Sequence, residues 1–509
     1  MSAAVPAVRV VGQRRLTAGL DQVERLDLPA HLRVHGGIRM MSSQDLVDLS
    51  ERIALHGRGG AGFPFAHKLR AVIDSAARRH SATAVVVNAT EGEPGSWKDK
   101  VLLTRTPHLV LDGAALVAGA LGSQTIVIGV ADDGVGVQSV LDAVQERRMP
   151  AFTRVVTVPH RFISGEGGAL VRGINGEIPI PPGQRTRSSD SGVGGLPTLL
   201  SNAETFAQLA IAARRGSEAF ADVGITGEPG TILLTVGGSA RAPSVVETPT
   251  GVRLIDILDM CQAPTGPAVL VGGYHGSWIT AADARTVTVS REGLAAIDGT
   301  LGAGIVLPLG DGTCPLGEAT RVAQYLAGQS SGQCGPCRMG LPDLARALAA
   351  LTDGSAGSAA IDSIRASAAA VRGRGACSHP DGSARFALSV LETFVDDIAA
   401  HLMHDGCGQV VRGTMPLPAT EETGRRLSVD WTRCDGHGLC AHLMPELIRL
   451  DVNGYPAFPD AAVPTWLESA AGKAVGMCPA LALQLSPGAK PGRLARRNSR
   501  SAGAGVGRR

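Results

Sequence analysis

Charged residues are scarce in this chain, only 18% of 509, yet 44% of the residues are hydrophobic and the mean hydropathy is slightly positive. That balance excludes a largely disordered chain. Charge of one sign is also lacking. The formal net charge is +2, and seven basic residues with no acidic one lie from Lys490 onward, leaving the body near −5. A basic nucleic-acid platform outside that tail is excluded, so no nucleic-acid partner is expected. Long apolar runs are missing too. The most membrane-like stretch, 114–130, is interrupted by Gly, Ser, Gln and Thr, and the opening MSAAVPAVRVVGQRR has no continuous apolar core of a signal peptide. These absences predict a soluble cytoplasmic protein with no membrane span. Nine cysteines are too few for a disulfide framework at this length. Aromatics are only 3%, whereas 66 glycines and 30 prolines imply many turns and close backbone approaches.

At about 150 residues per domain the length predicts three or four domains. From Ser42 to about Ile225 the pattern is α/β. Ser42 can cap a helix with Leu46, Leu49 and Ile53 at helical spacing, and a second helix carries Leu69, Val72 and Ile73 on one face. TAVVVN (83–88), TIVIGV (125–130) and TRVVTV (153–158) are short β-branched runs separated by helical segments, the pattern of buried parallel strands with crossover helices. From Gly230 to about Ser290, strand-like runs around one helix suggest a β-grasp-like module. From Gly317 to His404 the chain is helical, with Leu341, Leu344, Leu348 and Leu351 on one face. A Pro/Thr-rich linker precedes a compact unit of about 60 residues with an Asn453–Gly454 hairpin turn. The expected organisation is an N-terminal extension 1–41, an α/β nucleotide-binding domain 42–228, a β-grasp-like domain 229–300, a helical cluster-binding domain 301–410, a linker 411–427, an α+β domain 428–486 and a basic disordered tail 487–509.

Several motifs carry chemistry. HGRGGAGFP places Gly57, Arg58, Gly59, Gly60 and Gly62 between two predicted helices, with Lys68 six residues further on. Converging backbone N–H groups, a helix N-terminus and a lysine suit a phosphate, although the same glycines would serve a tight turn. NATEGEPGSWKDK (88–100) sets Asn88, Glu91, Glu93 and Lys98 directly after a strand, where α/β ligand sites lie; it also reads as a polar connection. Cys334-x-x-Cys337 with Cys377 forty residues later fits zinc or iron–sulfur, and a structural cysteine pair as well. Cys434-x5-Cys440, with Cys478-Pro479 a further 38 residues on, is a bacterial ferredoxin run whose central cysteine position is His437. Cys261, Cys314 and Cys407 stand alone and read as ordinary thiols.

Together HGRGGAGFP…K, NATEGEPGSWKDK, FISGEGGAL (162–170), GLPTLLSNAET (195–205) and SSGQCGPCR (330–338) resemble the NADH-binding flavoprotein subunit of respiratory complex I and its relatives in soluble hydrogenases and formate dehydrogenases. The motif order matches over about 42–405. Residues 428–486 resemble the short three-cysteine ferredoxins that serve actinobacterial haem monooxygenases. The resemblance implies a Rossmann-like FMN-binding domain, a β-grasp domain, a helical cluster-binding bundle and an α+β ferredoxin domain. It implies that Gly57 to Gly62, Lys68, Asn88, Glu91 and Asn202 cradle FMN, and that Glu93, Gly165 and Glu166 lie near the nicotinamide nucleotide. Cys334, Cys337 and Cys377 match three of four ligands of a 4Fe–4S cluster, and Cys434, Cys440 and Cys478 would hold a 3Fe–4S or 4Fe–4S cluster. The implied activity is electron transfer from NAD(P)H through FMN and clusters to an external one-electron acceptor, a redox protein such as a haem monooxygenase or another oxidoreductase. The alternative is a docking subunit that no longer binds nucleotide and relays electrons from a partner reductase. Four positions depart from the family pattern: Ser331 replaces a cluster cysteine, Gly167 an acidic residue, Thr90 an aspartate of the FMN loop, and Arg187 an aromatic. The helical domain is therefore expected to hold a labile cluster with an incomplete protein ligand set, or none.

Overall fold

The structure is a computed structural model that describes residues 5–486 except 151, 184–186, 404–405, 419–421, 446, 459–461 and 465–466. The chain divides into two compact units, Met1–Leu417 and Pro418–Arg509.

The first unit opens its α/β region as the apolar pattern predicts. Ser42 Oγ accepts from Asp45 N (3.1 Å) at the start of the helix Ser43–Arg52, which buries Leu46, Leu49 and the following Ile53. A parallel sheet holds Thr153–Val158, Ile126–Ala131, Ala84–Ala89 and Thr198–Asn202, in that spatial order. Burial of Val85, Val86, Val87, Val127 and Ile128 on both faces explains their unbroken apolar runs. From Ala84–Ala89 the chain builds two strands to one side, then returns to place Thr198–Asn202 on the other. A crevice therefore opens between the carboxyl ends of these two strands, where open α/β sheets bind ligands. Asn88 and Asn202 are register partners at its floor.

A second, mixed sheet runs Ala7–Val10, Ser244–Pro249, Thr231–Val236, Ile305–Pro308, Ala268–Val271 and Ser277–Thr280, with the helix Leu254–Met260 packed beside it. The N-terminal strand belongs to this sheet, pairing parallel with a strand more than 230 residues away. Buried Glu247 fixes the chain just after it, accepting from the backbone N–H groups of Arg15, Leu16 and Thr17 at 2.8–3.0 Å. The helical region comprises Pro315–Gly328, Leu341–Thr352, Ala359–Val371, His379–Thr393 and Val395–Met403, and the four predicted leucines of Leu341–Thr352 are buried together.

In the second unit Glu422–Val429 pairs antiparallel with Ala462–Pro464 on one side and Leu483–Ser486 on the other. Asn453 and Gly454, the latter with φ +85°, turn the chain between Arg449–Leu450 and Pro456–Ala457. The tail 487–509, expected to be disordered, lies outside the described residues. Among the described residues no single helix is long and apolar enough to cross a membrane. Lys98–Arg105 and Pro107–Leu121 are apolar enough only as a pair, which is bent by 94° and largely buried in the core.

Candidate flavin cleft and cluster sites

The glycine loop leaves the helix Ser43–Arg52 and enters the helix Phe65–Arg79. Gly57 N donates to Phe63 O (3.0 Å) and Phe65 N to Leu55 O (2.8 Å), which closes the loop on itself. Arg291 reaches in from the second-sheet region, donating to Gly57 O at 2.9 Å. A Cβ on Gly62 would stand 2.1 Å from Arg291 Nη1, and φ there is +61°, so another residue would strain the backbone and displace the guanidinium.

A cleft in two lobes lies against this loop, at the carboxyl ends of the parallel strands. One lobe of about 620 Å³ is lined by Gly57, Gly62, Lys68 and Gly167 among others, and the other of about 730 Å³ by Glu91, Glu93, Arg187 and Cys377. Gly59, Asn88, Gly165, Glu166 and Asn202 line both, so the lobes are continuous. Each volume is in the range of small-molecule sites. Lys68 Nζ donates to Leu200 O (2.8 Å) and has no ion-pair partner among the described residues; burial lowers its pKa. A sheltered ammonium without a counter-ion, beside glycine backbone, fits the phosphate end of a flavin mononucleotide.

Two expected residues are placed differently. Gly60 lines neither lobe, and Arg58 is buried with its guanidinium turned to Glu228 (3.7 Å), while its backbone N donates to Thr205 Oγ1 at 2.9 Å. Arg58 therefore ties the loop to the helix Ala203–Ala221 and presents no side chain to the cleft. Glu91, with φ +36°, takes a role its motif did not announce. It accepts from Asp99 N (3.0 Å), Lys100 N (2.7 Å) and Ser96 Oγ (2.6 Å), capping the helix Lys98–Arg105 from outside. Glu166 caps Gly167–Ile174 by accepting from Ala169 N (2.9 Å), and Asn88 Nδ2 donates to Gly165 O (2.9 Å). Burial pushes Glu91 up to about 7, with Asp99 adding repulsion. Burial likewise pushes Glu93 up to about 8, against the opposing pull of a hydrogen bond from Tyr274 N.

Beneath the cleft runs a charged network. Buried Lys98 contacts Asp99 (2.8 Å), Glu204 (3.1 Å) and Asn202 Oδ1 (3.2 Å), while Asn202 Nδ2 donates to Asp99 Oδ2 at 2.5 Å. Although burial opposes its charge, Asp99 and Glu204 hold Lys98 above the usual ammonium range. The network fixes Asn202 at the crevice floor.

Cys334, Cys337 and Cys377 gather at the second lobe's edge. Burial raises the Cys337 thiol, and Cys334 and Cys377 raise it further by proximity, while the Ser331 backbone lies within hydrogen-bonding reach. Cys377 is pushed up to about 11 by burial, opposed by the His379 backbone and reinforced by Glu166 and Cys334. Three converging thiols with a buried serine alongside fit a cluster with three protein sulfurs. In the second unit, Cys440 is raised by burial and by Cys434 and Cys478, which again places three thiols together. Burial acts against the thiolate of Cys478, but backbone N–H groups of Leu483, Ala482, Ala480 and Leu481 win and lower its pKa. That amide cradle suits a cluster-bound thiolate. His437 is exposed in the loop between Cys434 and Cys440.

Cys314 and Cys407 are not the separate thiols the sequence suggested. They meet His401, all three ligand atoms lying within 4.8 Å of one another. The 93-residue separation hid this, and only the HxxxxxC spacing of 401–407 hinted at it.

Comparison with known proteins agrees with this geometry. Residues 51–211 match the Nuo51 FMN-binding domain, 317–401 the NADH-ubiquinone oxidoreductase-F iron-sulfur binding region, and 427–485 a 4Fe-4S single cluster domain. An NADH-quinone oxidoreductase subunit of Rhizobium meliloti is 27% identical over 384 residues, 71% of this chain and 90% of the relative. The NADP-reducing hydrogenase subunit HndC of Solidesulfovibrio fructosivorans is 26% identical over 451 residues, 84% of this chain and 89% of the relative. The crystal structure of an NAD+-reducing [NiFe]-hydrogenase in the H2-reduced state superposes with a TM-score of 0.69 at 25% identity, covering 79% of this chain and 69% of that one.

Proposed function

The chain is a homologue of NADH-quinone oxidoreductase and hydrogenase flavoprotein subunits, sharing their FMN-binding and iron–sulfur domains, and we propose that it is a flavo-iron–sulfur oxidoreductase taking electrons from NAD(P)H. One observation carries the reading. The cleft that begins at the glycine loop and Lys68 continues without interruption to Cys377, so a flavin held there by its phosphate would have room to extend towards the thiols of the helical domain. Bound FMN accepts a hydride as an electron pair and passes single electrons on. The protein's part is to hold and shelter. Lys68 and the backbone of Gly57, Gly59 and Gly62 would bind the phosphate, Asn88 and Asn202 shape the floor, and Glu93 and Glu166 border the space for the nicotinamide nucleotide. Cys334, Cys337 and Cys377 would hold one iron–sulfur cluster, and Cys434, Cys440 and Cys478 in the ferredoxin unit another, each cluster supplying a one-electron carrier. Covalent fusion supplies that unit at a high effective concentration. The acceptor is an external one-electron redox protein, for which the likeness of 428–486 to ferredoxins of haem monooxygenases supplies the first candidate.

The nucleotide is open to test because relatives named for NADH and for NADP match almost equally well. Gly167 lacks the carboxylate that would repel the extra phosphate of NADPH, and Arg187 lines the same cleft with a guanidinium suited to phosphate. Weak discrimination against NADPH follows. A Cβ on Gly167 would meet only Leu200, at 3.4 Å, so Gly167→Glu is sterically acceptable. Protein purified without oxygen should contain FMN and iron and should reduce ferricyanide with either nucleotide, and Gly167→Glu should lower kcat/KM for NADPH by about tenfold relative to NADH, the effect of about 1.4 kcal/mol of added repulsion. A strong NADH preference unchanged in Gly167→Glu refutes the specificity argument. FMN and iron present but no reaction with either nucleotide favours the docking-subunit reading instead.

A further inference from the structure

We propose that Cys314, His401 and Cys407 form a second metal centre, a zinc-class site separate from the flavin and iron–sulfur chemistry. Cys314 immediately precedes the helix Pro315–Gly328 and is buried, its Sγ accepting from Gly317 N at 3.3 Å. The Gly317 N–H and the positive end of a 14-residue helix are placed to stabilise the sulfur of a metal-bound Cys314. His401, also buried, sits near the end of Val395–Met403. Its Nδ1 lies 2.6 Å from Thr352 O, and a carbonyl can only accept, so Nδ1 carries the proton and Nε2 is left with its lone pair. That Nε2 stands 3.4 Å from Cys314 Sγ. Orienting a ligating imidazole through a backbone carbonyl on its other nitrogen is the usual outer-shell arrangement of metal sites.

The dimensions suit one ion. Zinc–sulfur bonds of about 2.3 Å and zinc–nitrogen bonds of about 2.0–2.1 Å at tetrahedral angles set S···N edges of about 3.6 Å and S···S edges of about 3.8 Å. The observed 3.4 Å and the 4.8 Å bound on all three ligand atoms leave little to adjust. Two thiolates and one imidazole select zinc among common divalent ions, without requiring redox chemistry. Cys314 and Cys407 are both free thiols, so the pair is not already used as a disulfide.

The site also has a mechanical consequence. Cys407 begins a segment that runs back over the start of Pro315–Gly328. Cys314 N donates to Val410 O (3.0 Å), Arg412 N to Thr313 Oγ1 (3.0 Å), and Gly413 N and Thr414 N to Glu318 Oε1 (2.6 and 2.9 Å). A metal there clasps two helices and this strap at one point, closing a 93-residue loop of chain. None of the three ligands lines the flavin cleft, so the ion would sit apart from the flavin chemistry, and the inference does not rest on the proposed function.

The test uses the full chain, grown with zinc and purified without chelator, with zinc, iron and FMN measured together. About one zinc per chain is expected, held by the three side chains with water at the fourth position. Cys407→Ser and His401→Ala should each lower zinc at least tenfold with FMN unchanged, whereas Cys377→Ser, which removes an iron–sulfur ligand, should keep it. Cobalt(II) chloride added to the metal-free protein should give a thiolate-to-cobalt charge-transfer band that Cys407→Ser abolishes. Should Cys314→Ser fail to fold, the half-buried Cys407 and the spectroscopic arm still decide. Protein without zinc that also gives no cobalt band, zinc retained in Cys407→Ser, zinc lost in Cys377→Ser, or a Cys314–Cys407 disulfide by mass under non-reducing conditions each overturns the inference. Loss of FMN alone would count against the flavin reading and leave this one standing.

Discussion

Glu93 offers a direct test of the cleft's electrostatics. Its carboxylate faces the cavity, receives Tyr274 N–H, and sits so close to Gly273 that a Cβ there would stand 2.3 Å from Oε1. Burial raises its pKa from 4.5 to about 8. A carboxyl raised on folding binds more protons folded than unfolded between those two values, so its contribution to stability is present at low pH and lost as pH rises towards 8. The slope is at most 1.36 kcal/mol per pH unit, which over a span of about 3.5 units gives an upper bound of about 5 kcal/mol. Glu93→Gln keeps an oxygen for Tyr274 N–H but cannot ionise. Denaturant midpoints of the two proteins, taken at matched pH from 5 to about 8.5, isolate this group together with its repulsion from Glu91, because titrations elsewhere cancel in the difference. The two should be similar near pH 5, and the glutamine variant should become progressively more stable above it. Parallel pH dependences, or a wild type that gains stability over the variant as pH rises, refute the reasoning.

Three further outcomes follow from the same geometry. Lys98→Met strands Asp99 and Glu204, both almost fully buried, and should cost about 3–5 kcal/mol by thermal denaturation; a loss under about 1 kcal/mol would show that the network carries no net charge burden. Ser331→Cys, in a chain whose ferredoxin cluster has been removed by Cys434→Ser, should raise the iron surviving mild oxidant, because thiolate suits iron–sulfur better than a serine oxygen; unchanged iron means Ser331 does not stand at a ligand position. His437→Ala should retain the EPR signal of an oxidised 3Fe–4S cluster, since His437 is exposed and three thiolates suffice, and loss of the cluster would make His437 a ligand.

Local signals determined much of this protein before any tertiary contact was considered. Alternation of apolar runs with helical periodicity located Ala84–Ala89, Ile126–Ala131 and Thr153–Val158, because a strand buried on both faces must be apolar throughout. The strand-end position of its motif pointed to Asn88, because the carboxyl ends of parallel strands are where a ligand can approach, while Gly165, Glu166 and Asn202 were implied by the resemblance to the complex I flavoprotein subunit. Cysteine spacing read 434–478 as a ferredoxin run and marked 334–377 as a candidate metal site, which the family resemblance made iron–sulfur.

Only the tertiary structure decided the rest, because the deciding partners are mostly far apart in sequence, or depend on a local backbone turn, and leave no periodic trace. Arg58 stands inside a phosphate-type motif, yet Glu228, 170 residues on, draws its guanidinium away from the cleft. Glu91 caps a helix at its own motif's end, which depends on a left-handed backbone that no spacing announces. Ala7–Val10 is too short to stand out until Ser244–Pro249 supplies its hydrogen bonds. Cys314, His401 and Cys407 have no shared motif and become neighbours only when the helical bundle folds its last helix back over its first.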